Sequence, residues 1–107
     1  MTGGPVTTRT EGQIQASIVE YLRWRVGAGL FFWRGHPTGP TRTKPIEENK
    51  GMPDLFVMRS GHLLGLEVKK PGEECSDDQL AWKRRLESAG GEYHVIVSVE
   101  DVERVLR

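Results

Sequence analysis

The spacing of apolar residues changes along this chain, and each change predicts an element. Over 10–26 the apolar positions recur at helical spacing. At about 100° per residue, Ile14, Ile18, Tyr21 and Leu22 share one stripe. Thr10 and Gln13 form a capping box at the start, and Gly27-Ala28-Gly29 supplies the stop. Glu11 falls inside the stripe with Gln15 beside it, whereas Glu20 lies opposite. Glu11 is therefore expected to look toward the core and Glu20 toward water. A first strand is expected over 30–33. Next comes an apolar run at 54–58, a tight turn at Ser60-Gly61, and a run over 63–69 read with the period of two of a strand. That period sets Leu64, Leu66 and Val68 on one face and Leu63, Gly65, Glu67 and Lys69 on the other, with open space expected beside Gly65. Lys70-Pro71-Gly72 ends the strand.

Ser76 and Gln79 then open a second helix that closes at Gly90-Gly91, with Gln79, Trp82, Lys83 and Leu86 on one face. A strand over 93–98 and a short helix over 100–106, capped near Ser98, complete the chain. The order helix-strand-strand-strand-helix-strand-helix predicts a small mixed α/β sheet with helices on both faces. The crossover through the second helix places the last strand parallel to 63–69, in the right-handed sense.

Two segments lack periodicity. Residues 1–9 are rich in Gly, Thr and Pro and read as a flexible tail, leaving 10–107 as one domain. Residues 35–50 form a polar loop with three prolines and two glycines, long enough to be either functional or a plain insert. Its functional reading is a mobile basic arm along a phosphate backbone.

At 107 residues the chain suits a single domain with a modest core. No apolar run approaches a membrane span, and no secretory signal is expected at the N-terminus. The single cysteine, Cys75, fits a reducing cytoplasm and reads as an incidental thiol in a turn. Net charge is zero, so bulk charge does not announce a nucleic-acid binder. The distribution is more telling. Arg34, His36, Arg42, Lys44 and Lys50 stand against only Glu47 and Glu48 in that stretch.

The chemistry concentrates around Glu67 and Lys69. A charge pair on a mostly apolar strand is either solvated across the sheet or put to use. Pro53-Asp54 upstream favours use, because a strand-turn-strand sets Asp54 and Glu67 on adjacent strands with a lysine nearby. Two carboxylates so placed suit a hard divalent cation beside a reacting phosphate. Each neighbour also has a plainer role. Glu11 serves the helix dipole, Gln79 the cap and Trp82 the core rather than a base-stacking platform, while His94 is structural.

Pro53-Asp54 with Glu67-Val68-Lys69 resembles the PD-(D/E)XK nuclease signature. The wider pattern is Glu11 with Gln15, Gly51-Met52-Pro53-Asp54, Leu66-Glu67-Val68-Lys69-Lys70-Pro71-Gly72, Ser76-x-x-Gln79-x-x-Trp82 and Gly90-Gly91. Over about residues 10–103 it resembles a free-standing VRR-NUC domain, the virus-type replication–repair branch of those nucleases. The resemblance implies a restriction-endonuclease-like fold and cleavage of DNA with Mg2+ or Mn2+. It also implies likeness to Holliday junction resolvases, a homodimer, and a bacterial or phage origin. Asp54 and Glu67 would hold the cation with the Val68 backbone carbonyl and Glu11. Lys69 would orient the attacking water, and Gln79 would position the substrate strand or the lysine. Arg34, His36, Arg42, Lys44, Lys50 and Lys70 would contact branched or duplex DNA. The alternatives are a binding module of the same fold without useful catalysis, and hydrolysis of small phosphates. The second is disfavoured because no Gly-rich phosphate loop is present.

Overall fold

The capping box written by Thr10 and Gln13 forms: the Thr10 hydroxyl accepts from Gln13 N–H and the Gln13 side chain accepts from Thr10 N–H, starting helix α1 (Glu11–Arg25). The computed structural model describes residues 9–35 and 49–107. The tail through residue 8, most of the polar loop, and His36, Arg42 and Lys44 lie outside the described residues. After α1 come β1 (Leu30–Arg34), β2 (Leu55–Arg59), β3 (His62–Val68), α2 (Asp77–Ser88), β4 (Glu92–Ile96) and α3 (Val99–Val105). The element order is the expected one. Among the described residues no helix is long and apolar enough to cross a membrane.

The four strands form one sheet in the order β1-β2-β3-β4. The first three pair antiparallel, and β4 joins β3 parallel, as the crossover through α2 requires. The β2–β3 turn has two residues, Ser60 and Gly61, at φ of 49° and 83°. Positive φ at both positions is the twist-compatible turn that fixes register in a short hairpin. That register sets Leu55 against Leu66 and Phe56 against Gly65.

The two faces of the sheet differ in kind. One carries Leu30, Leu55, Val57, Leu64, Leu66, Val68 and Ile96, covered by Ile14, Ile18, Val19 and Leu22 of α1 and by Val102 and Leu106 at the C-terminal end. This is a dry aliphatic core. The other face carries Phe31, Trp33, Phe56, Gly65, Glu67 and Tyr93, with α2 lying over part of it. Lys83, predicted on the sheet-facing side of α2, is exposed, so the helix buries a narrower stripe than the wheel suggested. Only Leu86 of α2 is fully buried.

Candidate active site

Asp54 sits one residue before β2, so its side chain is released from the ladder at the mouth of the hairpin. Its Oδ2 accepts from Val68 N–H on the neighbouring strand at 2.8 Å. Two close packings hold the preceding residues. Pro53 is fully buried and stacks on Gly65, where an added Cβ would come within 2.6 Å of the Pro53 ring. The space expected beside Gly65 is therefore filled rather than open, because only a residue without a side chain lets the proline lie flat on β3. Gly51 runs across the first turn of α2 at φ 83°, and a Cβ there would lie 2.3 Å from the carbonyl of Asp78. A third tether is the hydrogen bond from Gly35 N–H to the Asp54 carbonyl, 2.8 Å. The segment bearing Asp54 is thus wedged between β3 and the start of α2.

Glu67 follows from the β3 alternation, which turns it away from the aliphatic core and toward α2. It is 4% exposed, the one charged residue buried among the described residues. Its Oε2 accepts from Gln79 Nε2 at 3.0 Å. Its Oε1 is buried and meets no N–H donor among the described residues. Burial, then the charge of Asp54, pushes the Glu67 carboxyl up to about 8; Lys69 works against this, while hydrogen bonding with Asp54 and the charge of Glu11 add to it. A buried carboxyl set against a second carboxyl holds a proton unless a positive charge replaces it.

Gln79 is the cap partner expected of it, and its other end holds Glu67 rather than the lysine. Its Oε1 accepts from Ser76 N–H at 2.8 Å, completing the α2 capping box, while its Nε2 reaches Glu67. Lys69 is half-buried at the end of β3, anchored by its N–H to the Ile96 carbonyl. Val68 adjoins the pair, its side chain in the core and its N–H on Asp54. Glu11 is exposed rather than turned into the core, since the buried stripe of α1 begins one turn later at Ile14. Its charge still reaches Glu67. Among the described residues no three His, Cys, Asp or Glu side chains converge as a metal-holding cluster. Arg34, Lys50 and Lys70 are exposed, at the end of β1, before Gly51 and after β3.

Tyr93 escaped the sequence reading. It is 5% exposed, its buried hydroxyl finds at most the weak Cys75 thiol among the described residues, and it lies on β4 opposite Gly65 on the Glu67 face. Burial pushes its phenol well above the usual range, with Glu67, Cys75 and Asp54 adding to the shift. Cys75 is thus a neighbour of this buried phenol rather than a bystander in a turn. A periodicity alone does not find Tyr93; the β3–β4 register does.

A divalent cation fits this arrangement. The two carboxylates are hard oxygen donors, and the buried Glu67 Oε1 meets no N–H donor among the described residues.

No family model matches the chain, and neither does any curated protein. Among solved structures, one described as a VRR_NUC domain is similar, with a TM-score of 0.62 at 22% identity, covering 90% of this chain and 92% of that one. The chain therefore has the restriction-endonuclease-like fold of a VRR-NUC domain.

Proposed function

We propose that the protein is a Mg2+- or Mn2+-dependent DNA endonuclease that hydrolyses phosphodiester bonds, selects branched DNA such as four-way junctions, and works as a homodimer in the cytoplasm of a bacterial host. The observation that carries this reading is the buried Glu67 carboxyl set against Asp54, with one of its oxygens lacking an N–H donor among the described residues and a lysine two residues on. The fold likeness to a VRR_NUC domain supports it.

Asp54, Glu67 and the Val68 carbonyl would hold the cation, with Glu11 acting through water. Such a cation lowers the pKa of a bound water and offsets charge growing on the phosphate. The protein's own residues prepare that chemistry. Gln79 fixes the Glu67 rotamer through Oε2, which leaves Oε1 available to a cation. Val68 N–H fixes Asp54 in the same way. Lys69 offers an ammonium for the attacking water or the phosphate oxygens. The exposed Arg34, Lys50 and Lys70 provide charge for the backbone of the substrate, together with His36, Arg42 and Lys44.

The homodimer rests on two arguments. A junction is cut symmetrically by two identical sites related by a twofold axis. In addition, Trp24 and Phe31 remain 83% and 53% exposed, apolar area that a partner subunit would cover. Cleavage of plasmid, linear duplex, flap and four-way junction, with and without metal, tests the proposal. Metal-dependent incision concentrated on the junction is expected. Binding without cleavage in either metal would leave a binding module, and a monomeric mass on junction DNA with paired incisions would defeat the dimer.

A further inference from the structure

The α2 side of the sheet carries a row of aromatic rings that the acid pair does not use. Phe31 and Trp33 of β1 stack at 5.4 Å, Trp33 and Phe56 at 5.5 Å, and Phe56 meets Trp82 of α2 at 6.1 Å. Trp33, Phe56 and Trp82 line a cleft of about 490 Å3, closed by Leu63, Leu86 and Ala89 and edged by Asn49 and Arg85. The Arg85 guanidinium lies over the Trp82 ring at 5.2 Å. No acidic side chain is among the described residues lining it. Phe56 is buried, but Phe31 and Trp33 stay 53% and 39% exposed on an edge strand.

We infer that this cleft takes an unpaired nucleobase of the substrate strand. The inference rests on the nucleic-acid reading above and gives that reading a substrate class. The lining suits a flat, apolar-faced group with polar edges: a run of aromatic rings for stacking, an amide and a guanidinium for the rim, and no carboxylate among the described lining residues to repel the attached phosphate. Placement agrees. Phe56 lies opposite Gly65, two residues along β3 from Glu67, which at strand rise is about 7 Å. Pro53, lying on Gly65, forms the partition between cleft and acids. A base seated in the cleft therefore leaves a phosphate of the same strand within reach of Asp54 and Glu67. A base inside a duplex already has both faces stacked on its neighbours and has none to offer. Junctions, flaps and overhangs do.

The test measures affinities by fluorescence anisotropy in EDTA, where metal-dependent cleavage is silent. The probes are a labelled oligothymidine, the same duplex with and without an unpaired overhang, and a blunt duplex. Trp33→Leu is expected to weaken oligothymidine and overhang binding by at least about tenfold and blunt-duplex binding by less than about twofold. Val26→Ala, at the end of α1 and 51% exposed but outside the aromatic row, is expected to change neither. If Trp33→Leu does not fold by circular dichroism, Phe31→Leu at the outer end of the row is measured instead, with the same expected direction. Equal losses on unpaired and blunt DNA, or no loss on either, would overturn the inference. So would a fall from dimer to monomer on light scattering with the preference for unpaired DNA unchanged, since the row would then be a contact between two copies. Loss of the preference in Trp33→Leu while the unsubstituted protein cuts no DNA in Mg2+ or Mn2+ would uphold the cleft and sink the nuclease reading alone.

Discussion

The two faces of one four-stranded sheet have opposite designs. Under α1 and α3 the sheet presents mainly aliphatic side chains, nearly all of them buried, with Phe32 packed at their margin. Under α2 it presents aromatic rings, Phe31 and Trp33 exposed and Phe56 and Tyr93 buried, a glycine with a proline lying on it, and a carboxyl that burial pushes up to about 8. The first arrangement lowers free energy by removing apolar surface from water. The second raises it locally by keeping an acid out of water beside a second one, and is tolerable because the first face holds the strands in place. Alternation along β3 divides the two roles: Leu64, Leu66 and Val68 belong to stability, Gly65 and Glu67 to the site.

This contrast is open to test. The largest effect is expected at the acids: Asp54→Asn or Glu67→Ala should lower cleavage rates by on the order of 10³-fold, the scale lost when a preorganised electrostatic group is removed. Both should remain folded and bind DNA. Near-normal cleavage by either would collapse the division. On the opposite face, Leu66→Ala should destabilise the fold by about 2–5 kcal/mol, read by urea unfolding. The rate per folded molecule should stay close to normal; a large specific loss would mean the two faces are not separable. Lys69→Ala should reduce turnover by about 10²-fold while metal affinity measured by calorimetry holds.

A subtler difference should appear with pH. Folding raises the Glu67 carboxyl from 4.5 to about 8, so the folded chain binds a proton that the unfolded chain has released. The stability this contributes is complete below about 4.5 and is lost as the pH climbs toward 8. The slope amounts to roughly 1.4 kcal/mol per pH unit where the difference in proton binding is complete. Thermal melts of the metal-free protein should show it, and saturating Mg2+ or the substitution Glu67→Gln should flatten it. A slope that survives Glu67→Gln would belong to another group. The smallest effect separates two acids of α1. Glu11→Gln should slow cleavage a few-fold and Glu20→Gln should leave it unchanged, so equal activity would reduce Glu11 to a helix-terminal charge.

Much of this layout was legible in the residues because it depends on local rules. Two capping boxes, a two-residue turn and the alternation of β3 fix where the helices begin and which way Glu67 points. What escaped depends on register and on close approach. Tyr93 reaches the Glu67 face only because β4 pairs parallel with β3 at a register that no local pattern encodes. The filling of the space beside Gly65 by Pro53 needs the loop before β2 to fold back over β3, a contact between residues twelve apart in sequence. Glu11 shows the opposite limit. Its wheel position was read from periodicity, but a helix terminus can sit on the apolar stripe and still have nothing over it. Trp82 is half-buried and shared between packing and the cleft, a distinction that spacing along α2 does not make.

The side chain of Gln79 joins the beginning of α2 to the acid pair through opposite ends of one amide. Such an amide cannot turn over: reversing it would point nitrogen at the Ser76 N–H and oxygen at Glu67, facing donor with donor and acceptor with acceptor. Fraying of the first turn of α2 and loosening of Glu67 are therefore one event. Amide hydrogen exchange at Ser76 and Gln79 should slow when Glu67 ionises or meets a cation, making two backbone protons of a helix cap reporters on the state of the carboxylate.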